Sequence, residues 1–101
     1  MKKAAVLLAD GFEEIEALTA VDLLRRARIY VDTVSISDEY MVAGAHGINV
    51  QTEDLFGEVD FEEFDMVVLP GGMPGTLNLE QSQAVQDAVD FCARHDRWIG
   101  A

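Results

Sequence analysis

The segment Met66-Val67-Val68-Leu69-Pro70-Gly71-Gly72-Met73-Pro74-Gly75 constrains the fold more than any other. A short apolar, β-branched run halts at a proline and two glycines. That is the pattern of a buried parallel strand ending at a ligand site. Pro70 cannot donate to a ladder, so the strand must finish there. Gly71 and Gly72 let the backbone approach a ligand and aim N–H groups at it. Open α/β sheets bind ligands outside the carboxyl ends of their strands. The competing reading is a plain strand-to-helix turn.

The rest of the chain supplies the partners of that strand. Lys3 to Ala9 reads as a first strand ending at Asp10-Gly11. Glu13 to about Arg28 reads as a helix, acidic in its first turn and basic in its last, with Asp10 as a candidate N-cap. Tyr30 to Ser37 reads as a second strand, and Met41-Val42 with Ile48 to Thr52 as a hairpin around Gly44 to Gly47. Leu55 to Phe64 reads as a loop with a helical turn, and Ser82 to His95 as a second helix capped by Ser82. Trp98-Ile99-Gly100-Ala101 has the look of another buried strand opening, which implies a polypeptide continuing beyond it. This order predicts one α/β domain over residues 1–101, the N-terminal portion of a sandwich with a mostly parallel sheet.

Composition narrows the function classes. A net charge of −12, from 7 basic and 19 acidic residues, opposes binding to nucleic acid phosphates. No apolar run approaches the roughly 20 residues that span a bilayer, so no membrane partner is expected. The N-terminal apolar run is cut by Asp10, and Cys92 is the lone cysteine. Both fit a cytoplasmic protein with no internal disulfide.

Within the first helix, Leu23, Ala27, Ala20, Leu24, Ala17 and Val21 fill one arc at about 100° per residue. Glu16 falls inside that arc, so it is expected to face the core or the sheet edge. A buried carboxylate must be protonated or paired, and a raised pKa would suit general acid–base work. The alternatives are a structural pairing with Arg26 or a stem that reaches water. Cys92 continues the Val85, Ala88, Val89 stripe and reads as a core residue rather than a nucleophile. His95 reads as a charge complement at a helix end. His46, between two turn glycines, is either a loop-tip binding residue or simply a turn residue. Histidines this far apart carry no metal-ligand spacing, so no metal is expected.

The segments Asp10-Gly11-Phe12-Glu13-Glu14-Ile15-Glu16, Val21 to Ala27, His46-Gly47-Ile48 and Val67 to Gly72 occur in the order found in the PfpI/ThiJ family. The chain resembles that family, which contains the Parkinson-associated deglycase and its bacterial relatives, from about residue 3 to residue 101. The resemblance implies a flavodoxin-like three-layer sandwich, usually dimeric, whose cysteine nucleophile would come just past Ala101. It implies that Glu16 hydrogen-bonds the cysteine sulfur and that the Gly72 N–H, supported by Gly71, binds sulfur or an oxyanion. Met73 and Pro74 would line the pocket mouth, and Arg26 would lie near a subunit interface. The function implied is cofactor-independent glyoxalase- or deglycase-type chemistry on small carbonyl compounds. The alternatives are a redox sensor or stress chaperone with an oxidisable cysteine, and an intracellular protease/amidase-like hydrolase. Bacterial members also carry the label thiazole monophosphate biosynthesis. Many relatives have glycine where this chain has Arg28. A left-handed non-glycine there costs about 1 kcal/mol, so the helix is expected to end by a different route.

Overall fold

The computed structural model describes residues 2–101. Five strands form one parallel sheet in the order β5-β2-β1-β6-β7. They are β1 (Lys3–Leu8), β2 (Tyr30–Ser35), β5 (Asp54–Leu55), β6 (Met66–Val68) and β7 (Trp98–Gly100). Three helices, α1 (Glu14–Arg26), α2 (Gly75–Gln81) and α3 (Gln83–Arg94), complete the layers. An antiparallel hairpin of β3 (Met41–Ala43) and β4 (Asn49–Gln51) stands beside the main sheet. Two single 3-10 turns cover Phe56–Glu58 and Phe61–Glu63.

Alternation along β1 divides the core in two. Ala5 and Leu7 pack with Val34, Phe64, Val67, Leu79, Val85 and Cys92 on the α2–α3 face. Ala4, Val6 and Leu8 pack with Ala17, Val21, Val31 and Val42 on the α1 face. From Ala4 to Leu8, strand β1 is fully buried between them, as a central strand covered on both sides must be. The chain leaves β1 toward β2 on one side, while β6 lies on the other. The strand order therefore reverses between β1 and β6, and the crevice there is where an α/β sheet binds ligands.

Several details differ from the sequence expectations. Asp10 does not cap α1. Glu13 does, accepting a 2.8 Å hydrogen bond from the Glu16 N–H, while Asp10 accepts one from the Ala43 N–H at 3.0 Å. The buried stripe of α1 runs through Glu14, Ala17 and Val21, with Leu24 half-buried. It is rotated from the expected arc, leaving Leu23 58 % exposed and Glu16 exposed. The seven-residue α2 was not expected, because Gly75, Thr76 and Asn78 are weak helix formers and the element is too short to show a stripe. Strand β7 is exposed rather than buried, with Trp98 at 72 %. It sits at an edge of the sheet, and burial belongs to a strand's neighbours rather than to its own residues.

The end of α1 is informative. Arg28 adopts φ 64°. Its N–H donates to the Arg25 carbonyl, and the Ile29 N–H donates to the Leu24 carbonyl, both at 3.0 Å. This is the Schellman arrangement usually built on glycine. The helix thus ends by the ordinary route, with an arginine in the left-handed position. Leu24 and Ile29 add the accompanying hydrophobic contact by packing on the same core.

Candidate functional site

The loops after β1 and β6 meet at the reversal of strand order. Gly11 has φ +89° and Gly72 φ +108°, which side-chain-bearing residues rarely adopt. The Glu13 N–H donates to the Gly71 carbonyl at 2.8 Å, and the Gly75 N–H to the Gly11 carbonyl at 3.2 Å. The fit is tight enough that a Cβ on Gly72 would lie 2.7 Å from the Gly11 oxygen and press on the Glu13 nitrogen. The Thr76 N–H donates to the Gly72 carbonyl at 2.8 Å. The N–H groups of Gly71 and Gly72 have no hydrogen-bond acceptor among the described residues.

Glu16 sits beside this junction. Its Oε1 would be 2.8 Å from a Cβ placed on Gly71, so the carboxylate faces the turn after β6. Glu16, Leu69, Pro70, Gly71, Thr76 and Ala101 help line a cavity of about 380 Å³ at the carboxyl ends of β6 and β7. Of the two expected orientations, core or sheet edge, Glu16 does not take the core one: it is exposed. It stands at the rim of a cavity because the buried stripe passes through Glu14 instead. Arg26 does not pair with it; the Arg26 Nε donates to Asp22 at 3.1 Å on the same helix, in the open. Gly72, Met73 and Pro74 are not among the residues lining this cavity. Met73 is 63 % exposed, and Pro74 caps α2 against Gly11. Cys92 lies fully inside the core, where burial pushes its thiol pKa up. That is the opposite of what a nucleophile needs.

The buried carboxylate of α1 is Glu14, which sequence reasoning passed over as a first-turn acid. It is 3 % exposed. Oε2 accepts from the His46 N–H at 2.7 Å and the Ile48 N–H at 3.3 Å, while Oε1 lies 2.8 Å from His46 Nδ1. A Cβ on Gly44 would run into this carboxylate. Burial alone would raise the Glu14 pKa, but the hydrogen bonds from the His46 ring and from the backbone outweigh it and hold it at about 2. The same hydrogen bond, with the Glu14 charge, raises the His46 pKa. His46 is thus more than a turn residue: it ties the hairpin to the start of α1. Glu13 Oε1 lies 3.9 Å from His46 Nδ1, and Glu13, Glu14 and His46 are close enough to hold a small cation. Their spacing in the sequence gave no sign of this, and the Glu14 oxygens are already committed to the hairpin.

Comparison with known proteins places this geometry. Protein dj-1beta of Drosophila melanogaster is 36 % identical over 88 residues, covering 87 % of this chain and 47 % of that protein. A Bacillus subtilis protein whose name proposes a cysteine protease is 35 % identical over 76 residues, covering 75 % and 45 %. Among solved structures, a cysteine-to-alanine mutant of a DJ-1 superfamily protein from Salmonella typhimurium superposes with a TM-score of 0.93 at 40 % identity. That match covers 98 % of this chain and 54 % of the other. Oxidised DJ-1 of Toxoplasma gondii superposes with a TM-score of 0.94 at 32 % identity, covering 98 % and 54 %. The fold is the flavodoxin-like α/β arrangement of these neighbours, and the chain spans about half the length of each of these four relatives. A profile of the DJ-1/PfpI family matches residues 2–101, and the chain belongs to that family.

Proposed function

We propose that this chain forms the Glu16-bearing half of a cysteine-dependent site that acts on small reactive carbonyl compounds. The observation that supports this most is the Glu16 carboxylate against Gly71 at the wall of a cavity that Ala101 also lines. A cysteine following Ala101 would enter the same cavity. Its thiolate would attack an aldehyde carbon to form a hemithioacetal, with Glu16 moving the proton. The unpartnered N–H of Gly71 or Gly72 would meet the developing oxyanion. No metal or cofactor is required by this scheme. The working form is a cytoplasmic homodimer. Ile15 and Ile48, 74 % and 53 % exposed, line one surface hollow where α1 meets the hairpin, and Leu18 is 40 % exposed. That face supplies the apolar area a subunit contact uses.

The test is methylglyoxal consumption by the full natural polypeptide and its Glu16→Ala variant. Loss of general acid–base help lowers kcat by about 10² or more, with the circular dichroism spectrum unchanged. Equal rates in the two proteins would end this reading. A second reading, redox sensing, draws support from the oxidised form captured in the Toxoplasma relative. It requires peroxide to oxidise the thiol far faster than carbonyls are turned over, which mass spectrometry of the peroxide-treated protein measures.

A further inference from the structure

A second cavity, of about 250 Å³, opens at the carboxyl ends of β1 and β2, lined by a set of residues that does not include Glu16. The half-buried Ile36 gives it an accessible apolar wall over the buried Leu8 and Val42, and Asp10, Ser35, Ser37 and Asn78 give it polar lining. None of its lining residues is basic.

The polar atoms are unequal. The Ser37 hydroxyl donates to the Glu39 carbonyl at 3.2 Å. Its proton is therefore used, and in the 3.0 Å contact between the two hydroxyls Ser35 is the donor. The Ser37 N–H donates back to Ser35 Oγ at 3.2 Å. The Asn78 amide donates to the Asp10 carbonyl at 2.7 Å. Asp10 uses one carboxylate oxygen to hold the Ala43 N–H at 3.0 Å. The side-chain donors are thus spent internally, apart from one N–H of Asn78. The second Asp10 oxygen and the Asn78 carbonyl oxygen remain as acceptors. A ligand that satisfies them must bring donors and positive charge, and its carbon part must suit an apolar wall.

We infer that this cavity binds a small alkylammonium group, its nitrogen at Asp10 and Asn78 and its chain against Ile36. The net charge of −12 favours the approach of such a cation, and the cavity confines where it stops.

The experiment is a titration of the full, isotopically labelled chain, followed by amide proton–nitrogen correlation spectra at constant ionic strength. The probes are n-butylammonium chloride and n-butanol, which share a carbon chain and differ in charge. n-Butylammonium produces saturable shifts at the amides of residues 8–10, 35–37 and 78, and n-butanol binds at least about tenfold more weakly, because the charge-assisted hydrogen bond is missing. Asp10→Asn keeps an oxygen for the Ala43 N–H and removes only the charge. It weakens n-butylammonium by about the same factor. The inference is overturned by any of three results: no saturable shift, equal response to the alcohol, or shifts spread over the acidic surface. Unchanged affinity in a folded Asp10→Asn protein overturns it as well. If that variant does not fold, the ammonium-against-alcohol comparison on the natural chain decides alone.

Discussion

At the scale of single residues, the pair Glu14–His46 and the capping residue Arg28 carry the clearest consequences. Glu14 has a depressed pKa, so its contribution to stability is present above the ordinary carboxylate value of 4.5 and is lost as pH falls toward about 2. His46 has a raised pKa, so its contribution is full below the ordinary value of 6.5 and fades as pH rises through the folded value. The pair therefore contributes most between those two ordinary values. Glu14→Gln flattens both arms of the stability–pH curve and returns the His46 titration toward 6.5, which urea melts and histidine carbon-proton spectra report. Arg28→Gly relieves a left-handed arginine without touching the hydrogen bonds around it. It raises stability by about 1 kcal/mol in a urea melt. Cys92, sealed in the core, stays unmodified by iodoacetamide in the native state and reacts once the chain is unfolded.

At the scale of elements, the junction of the loops after β1 and β6 decides whether the site exists. Gly72→Ala places a methyl group against Gly11 and Glu13 backbone atoms at a positive φ. It destabilises the chain by about 2 kcal/mol or more, which thermal melts detect. An alanine at the exposed Gly57, where a Cβ meets nothing within 4 Å, serves as the control and shifts the melt far less. Much of this level was legible in the sequence. The run from Met66 to Leu69 and the halt at Pro70-Gly71-Gly72 marked β6 and its turn, and Ser82 marked the start of α3. The register of α1 was not legible. Leu18 and Leu23 are apolar yet exposed, and Glu14 is acidic yet buried, so hydrophobicity points to the wrong arc. The hairpin that satisfies Glu14 lies more than thirty residues away, beyond the reach of any local pattern. The same separation hid the meeting of Glu13, Glu14 and His46.

At the scale of the whole molecule, the order of the strands puts everything chemical at one end of the sheet. That much was implied by strand, helix, strand and a glycine-rich stop. What lies along the edge at β7 was not, because exposure there depends on what pairs with the strand. The apolar hollow at Ile15 and Ile48 gives a test at this scale. Ile15→Lys shifts the mass measured by light scattering toward the single chain if that face joins two subunits, and an unchanged mass assigns the contact elsewhere. The stitching of the two loops through main-chain atoms has a further consequence. Neither loop can swing without breaking the other's hydrogen bonds, so the cleft has no hinge. Ligands must enter by passing exposed side chains at its rim, such as Thr76 and Gln86, and selectivity can drift by exchanging those side chains while the floor stays the same. Rim and floor thus evolve under separate constraints: the rim is free to vary, and the floor changes only when both loops change together.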